Sequence, residues 1–109
     1  MDEVLFEDAS PLNYAVTLRR LTWENHEARR PEIVGHVDNV SLCIREPHIV
    51  IDTKDGRAHY YRMGHGRGKT ANCYLYVLVR ARDTGEHVVA SVWFTPEIEE
   101  GELLWFRMP

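Results

Sequence analysis

The spacing of apolar residues changes period near the middle of the chain, and that change predicts where helices give way to strands. From Glu32 to Arg45 the apolar side chains fall at Ile33, Val34, Val37, Val40 and Ile44, with Ser41 beside them. A spacing near 3.6 residues puts these positions on one stripe of an amphipathic helix. Pro31 suits the first helical position, where a missing N–H costs nothing. Pro47 predicts the end, because the residue before a proline is pushed out of helical dihedrals. A shorter helix is predicted over Trp23 to Arg30, with the Thr22 hydroxyl as its N-cap acceptor. The first half of the chain therefore reads as helical.

After Pro47 the period is two. His48 to Thr53 is short and β-branched, and Asp55-Gly56 supplies the residues of a hairpin turn before a second strand, Ala58 to Met63. Residues 64–72 contain Gly64, Gly66 and Gly68 and no apolar run, which predicts a mobile loop. Cys73 to Ala81 is apolar on both faces and reads as a central strand, closed by the turn Asp83-Thr84-Gly85. His87 to Thr95 is the last long strand, stopped by Pro96. Gly101 to Met108 reads as a short edge element or a segment under the helices. These elements predict one α+β domain over residues 1–109, with N-terminal helices packed on one face of a four-stranded, or slightly larger, antiparallel sheet.

Composition bounds the class. At 109 residues the chain suits a single core, and 44% hydrophobic with 28% charged residues excludes disorder and coiled coil. No apolar run approaches the roughly 20 residues of a bilayer span, and the first residues are acidic where a secretory signal would be basic. A cytoplasmic protein without membrane contact is expected. Cys43 and Cys73 sit in apolar settings without a second pair, so free buried thiols are expected rather than a disulfide or zinc framework.

The net charge of −4 argues against bulk attraction to nucleic acid, but its distribution is uneven. Asp2, Glu3, Glu7 and Asp8 open the chain, and Glu97, Glu99, Glu100 and Glu102 lie near its end. Between them Lys54, Arg57, Arg62, Arg67, Lys69, Arg80 and Arg82 face only Asp55. A basic middle lies between acidic ends. Such charges solvate strand edges and pair with the termini in many domains, so they do not by themselves identify a partner.

The segment ending in Gly68-Lys69-Thr70 invites a nucleotide-binding reading, which fails because Met63 stands where the phosphate loop needs glycine and because a strand follows. What survives is a glycine-rich loop carrying His65, Arg67 and Lys69, whose backbone can approach an anion closely. The histidines at 26, 36, 48, 59, 65 and 87 show no zinc-ligand spacing, so no metal or other cofactor is expected. His26 stands out through its place after Trp23 with Arg29 one turn on, and an imidazole exchanges protons near neutrality. In the strand 58–63, His59, Tyr61 and Met63 share one face, Tyr60 and Arg62 the other. Aromatic rings beside arginine suit unpaired bases and phosphates, although tyrosine is also an ordinary strand former.

Read together, Leu18 to Trp105, about four fifths of the chain, resembles a family of small phage and bacterial proteins with the barnase/EndoU/colicin/RelE-like nuclease fold. The resemblance rests on Trp23-Glu24-Asn25-His26, Arg30-Pro31-Glu32, Pro47, Tyr60-Tyr61-Arg62, Tyr74 to Val79, Val88 to Thr95, and Gly101 through Trp105. Two positions depart from the pattern. Arg30 replaces a second histidine, and Ser91-Val92-Trp93 replaces Thr-Ala-Tyr.

The resemblance implies a metal-independent ribonuclease of toxin type, with RNA and a protein antitoxin as partners. Cleavage needs a base for the 2′-OH, an acid for the leaving oxygen and cations against the charge that builds on the phosphate. On that expectation His26 is the base or acid, Arg62 stabilises the anion, Tyr61 stacks or handles a proton, and Ser91 orients the phosphate. Arg30, His65, Arg67 and Lys69 would bind the substrate. The alternative is a catalytically inactive protein-interaction or RNA-binding module on the same fold, from a mobile element, which the acidic composition favours. A third possibility is a small-ligand binder using the aromatic sheet face.

Overall fold

A computed structural model describes residues 2–108, and it opens with strands rather than helices. β1 (Val4–Ala9) and β2 (Ala15–Arg19) form an antiparallel hairpin whose turn takes Asn13 to φ 69°. The acidic residues that hide β1 from a hydrophobic reading have partners here. Thr17 donates to Glu7 at 3.3 Å, Ser41 donates to Asp8, and Arg45 lies 4.0 Å from Asp8. Charge on an edge strand also keeps it from pairing with another chain.

Helix α1 (Arg20–Arg29) continues directly from β2, with Arg19 rather than Thr22 at its N-cap. The helix expected over 32–45 is two pieces, a 3₁₀ turn at Pro31–Ile33 and α2 (Val37–Arg45). Gly35 separates them at φ 82°, a conformation glycine adopts at little cost and a helix cannot contain. Then follow β3 (Ile49–Asp52), β4 (Arg57–Arg62), a 3₁₀ turn at Gly68–Thr70, β5 (Tyr74–Ala81), β6 (His87–Thr95) and β7 (Glu102–Phe106).

Among the described residues the sheet has seven strands in the order β1-β2-β6-β5-β4-β3-β7. It is mixed, because β2 runs parallel to β6 through Val16–His87 and Thr17–Val88. The α+β class stands, while the four-stranded or slightly larger antiparallel sheet placed after the helices is corrected to seven strands, mixed in direction and begun before α1. The cause is that two strands precede α1 and that the C-terminal segment pairs with β3 through Ile49–Phe106 and Val50–Trp105. Past Val88, β6 has no β2 residue beside it. There α1 and the 3₁₀ turn continue the structure, burying Trp23 and Ile33 in one cluster with Val89 and Val92.

Alternation along each strand builds two apolar clusters on opposite faces of the sheet. On the first face, Val50, Tyr60, Leu75, Val77 and Val92 pack with Val40, Cys43 and Ile44 of α2. Fully burying each such aliphatic side chain stabilises the fold by roughly 1.5–3 kcal/mol. The Cys43 thiol is buried, whereas Cys73 is half-buried. On the second face, Ile51, Tyr61, Tyr76 and Leu78 gather with Trp93 and Ile98. The chain after β6 crosses this face. Glu99 donates its backbone N–H to the Tyr61 phenol oxygen at 2.8 Å, and Gly101 passes close to the Asp52 carbonyl.

Candidate functional site

Neighbouring residues on β4 send their side chains to opposite faces, and this divides the predicted site into two groups. Arg62, with Tyr60, faces the first side; Tyr61 belongs to the second-face cluster.

The first group forms a corner where β4 ends, β3 begins and α2 has just finished. The Arg62 guanidinium donates through Nη1 to the Glu46 carbonyl, which closes the C-terminus of α2, and through Nε to His65 Nε2 at 3.1 Å. Its Nη1 also lies 3.3 Å from His48 Nε2. His48 is fixed by backbone. Its N–H donates to the Tyr61 carbonyl at 2.9 Å, its carbonyl accepts from Arg107 N–H at 2.8 Å, and its Nδ1 accepts from Met63 N–H at 3.0 Å. His36, at the start of α2, contacts Asn39 through Nδ1 at 2.9 Å and meets the Phe94 ring edge-on.

These contacts set the protons. Because Nδ1 of His48 accepts, its neutral ring carries hydrogen on Nε2; because Nε2 of His65 accepts, its hydrogen is on Nδ1. All three imidazoles titrate below the ordinary value. Burial is the larger cause in each, followed by Arg62 for His65 and His48, and by Arg67 for His36. Near neutrality the corner therefore presents imidazole N–H groups beside fixed guanidinium charge. The carboxylate of Glu46 is taken by Arg107 at 3.1 Å. Guanidinium and imidazole N–H groups are donors of the kind that pair with oxyanions.

The loop that completes the corner is held by its own turn. Arg67 N–H donates to Thr70 Oγ1 at 2.9 Å, and Thr70 N–H returns to the Arg67 carbonyl at 3.0 Å. Only glycine fits at position 66, where a Cβ would stand 1.9 Å from the Thr70 carbonyl oxygen. Arg67 and Lys69 are exposed on this turn.

The second group lies toward β6. Arg30 places its guanidinium 4.7 Å from the centre of the Trp93 ring, a cation–π contact. His26 is one turn earlier on α1, half-buried, and its pKa is lowered by burial and then by Arg29 and Arg30. Ser91 pairs with Leu78 and Trp93 with Tyr76, so both serine and indole are on the Tyr61 face. Thus the structure brings Arg62 together with His65, and Arg67 close enough to act on the His36 imidazole. Arg30 is brought beside Trp93, with His26 next to it. The neighbours of His26 are not those of Arg62.

Sequence reasoning missed His36 and His48. Their signal was present, since both flank α2 and the loop returns between them, but it depended on the fold. A further basic groove of about 180 Å³ is lined by Arg19, Arg80, Arg82, Thr17 and Thr22, with Glu86 3.7 Å from Arg19 and 3.6 Å from Arg82. Among the described residues no group of three or more His, Cys, Asp or Glu side chains is placed to hold a metal ion. No helix among the described residues is long and apolar enough to cross a membrane. No family model, curated protein or solved structure matches the chain.

Proposed function

We propose that the chain is an RNA-binding module on a barnase/EndoU/colicin/RelE-like domain and that it grips phosphodiester groups at the Arg62 corner. One observation carries this reading. Arg62 donates to His65 Nε2 at 3.1 Å and lies 3.3 Å from His48 Nε2, which bears that ring's N–H, so a guanidinium and an imidazole N–H meet where the Glu46 carboxylate is engaged by Arg107. Exposed Arg67 and Lys69 extend the positive edge, and the acidic ends of the chain lie on other elements. The net charge keeps such binding local rather than general.

Metal-independent RNA cleavage is the second reading, and His26 favours it. Burial, Arg29 and Arg30 hold its imidazole toward the neutral form that a general base requires. In that reading His26 takes the 2′-OH proton, Arg30 meets the phosphate, and Tyr61 and Ser91 contribute from the same sheet face. Arg62 then acts in binding rather than chemistry.

Fluorescence anisotropy with a single-stranded RNA at several salt concentrations separates these readings. Arg67→Ala, on an exposed turn, is expected to weaken binding and reduce the salt slope by about 0.7, the share of one phosphate contact on a single strand. Unchanged affinity and slope in both Arg67→Ala and Arg62→Ala removes the binding reading. Incubation of the same RNA in excess chelator reports cleavage. A rate that falls by about 100-fold or more in His26→Ala, with folding intact, establishes the second reading, and intact RNA at all times eliminates it.

A further inference from the structure

The basic groove beside β6 is not used by the RNA reading. β2 and β6 run side by side only through Val16–His87 and Thr17–Val88, after which β2 ends at Arg19 and the chain turns into α1. A cavity of about 180 Å³ opens where they part. Residues 88–90 of β6 form its floor, Arg19 and Thr22 line it from the β2–α1 side, and Arg80 and Arg82 line it from the β5 side. Three guanidinium groups therefore border one small space. Among the described residues Glu86 is the only carboxylate paired with them, 3.7 Å from Arg19 and 3.6 Å from Arg82, and Arg80 is paired with none. Arg80 also lies directly opposite Arg57 of β4, and like charges directly opposite destabilise a sheet. Arg57 has Asp55 at 3.9 Å. The neighbouring carboxylates are turned elsewhere: Glu7 accepts from Thr17 at 3.3 Å on the β1 side, and Asp83 lines a separate space beyond Arg80 and Arg82.

We propose that this groove binds a phosphomonoester dianion, held between Arg80 and Arg82 on one side and Arg19 on the other. Planar guanidinium forks match phosphate oxygens two at a time. Charge selects the monoester. Three guanidinium groups less the Glu86 carboxylate leave a double positive charge in the groove, and a monoester carries about −1.5 to −2 at neutral pH where a diester carries a single charge. Size sets how much of the ligand enters. The cavity is smaller than the roughly 300 Å³ at which small-ligand sites begin, so the phosphate enters and the remainder stays outside. The opposition of Arg80 to Arg57 is a cost that the fold leaves uncompensated, and an anion between Arg80 and Arg19 supplies the missing counter-charge. This inference does not rest on the RNA reading. By alternation Arg57, and with it Arg80, belongs to the Tyr61 face, whereas Arg62 lies on the opposite face and at the other end of β4.

The test titrates the intact, nitrogen-15-labelled chain with adenosine 5′-monophosphate, inorganic phosphate, the cyclic diester of the same nucleotide, and adenosine, following backbone amides and arginine Nε–H groups by NMR. The monophosphate or inorganic phosphate is expected to shift Arg19, Arg80, Arg82 and residues 88–90 to saturation, and whichever binds more tightly identifies the source of the anion. The cyclic diester is expected to bind about tenfold more weakly, and adenosine to leave the groove unmoved, because charge-assisted bonds to the phosphate supply the affinity. Arg80→Ala, at an exposed position, should weaken the monophosphate by about tenfold or more, the share of one hydrogen-bonded charge. Its urea midpoint should hold or rise, since the opposition to Arg57 ends, which separates a binding loss from a folding loss. Glu86→Gln should strengthen binding severalfold by removing the competing carboxylate. Equal affinity for the monophosphate and the cyclic diester overturns the proposal, as do shifts confined to the Arg62 corner and unchanged binding in Arg80→Ala. Absence of saturation by both the monophosphate and inorganic phosphate up to about 10 mM overturns it as well.

Discussion

Replacing Tyr60 by phenylalanine removes one oxygen from the middle of a buried relay and leaves the packing of the ring intact. Leu12 N–H donates to Ser10 Oγ at 3.1 Å, the Ser10 hydroxyl bonds the Tyr60 phenol, and Tyr60 donates to Tyr14 Oη at 2.7 Å. This relay fastens the β1–β2 turn to the centre of the sheet. Tyr60 is fully buried and Ser10 is 6% exposed, so water does not replace the lost partner on the serine side. Tyr14 is half-buried and can recover a bond to solvent. The expected loss is therefore dominated by one stranded serine hydroxyl and one broken bond, together about 1–3 kcal/mol. For a domain near 100 residues, each 1 kcal/mol moves the midpoint by about 4–8 °C, so a loss near 2 kcal/mol lowers Tm by roughly 8–16 °C. Thermal and urea unfolding followed by circular dichroism measure this, with Ser10→Ala and the double variant completing a cycle. Coupling of about 0.5 kcal/mol or more between the two sites is expected. A Tyr60→Phe variant within about 0.3 kcal/mol of the parent, or strict additivity with Ser10→Ala, refutes the reasoning.

Stability should also be limited by pH on both sides. His26, His36, His48, His59 and His65 are all lowered below the ordinary 6.5, chiefly by burial, so the unfolded chain takes up protons first and stability is lost as pH falls below that value. Tyr14, Tyr60, Tyr61 and Tyr76 are raised above the ordinary 10.0, again chiefly by burial, so stability is lost as pH climbs past it; urea midpoints that stay level from pH 5 to 7 and from 9 to 11 contradict both limbs. Gly101→Ala should cost about 1–3 kcal/mol, because the new Cβ would stand 2.4 Å from the Asp52 carbonyl oxygen and backbone must shift, a loss read from the same urea curves. Burial pushes the Cys43 thiol up and closes it to reagents, whereas Cys73 is half-buried. A chromogenic disulfide should therefore modify one thiol in the native protein and both in denaturant.

Where local chemistry alone decides structure, the sequence was readable. The strand from His48, the turn at Asp55-Gly56, and the long strands 73–81 and 87–95 all correspond to elements, with Gly56 at φ 79° and β5 central as its double-sided apolarity requires. The break at Gly35 was also written in the chain, but a periodic stripe on either side concealed it. β1 was not readable, because its acidic residues acquire sense only from Thr17, Ser41 and Arg45 on other elements. The candidate site followed the same division. Alternation along β4 assigned Tyr61 and Arg62 to opposite faces, which is how they lie. The company each keeps was set by tertiary packing: His48 reaches Arg62 because β3 pairs with β4, and Arg30 reaches Trp93 because α1 takes the place of a strand beside β6.

The parallel contact between β2 and β6 has a consequence for how the molecule is made. During synthesis, the β1–β2 hairpin emerges about 70 residues before β6, the strand beside which β2 docks. Until then Val16 and Leu18, which end up in the core, lack the part of their cover that β5 and β6 supply through Val77, Val89 and Val92. Closing so distant a contact is slow compared with forming the β3–β4 and β5–β6 hairpins, so these should assemble first and receive the β1–β2 hairpin last. A nascent chain halted before His87 would leave the open edge of β2 to chaperones and proteases, whereas one that includes β6 carries the strand that covers that edge.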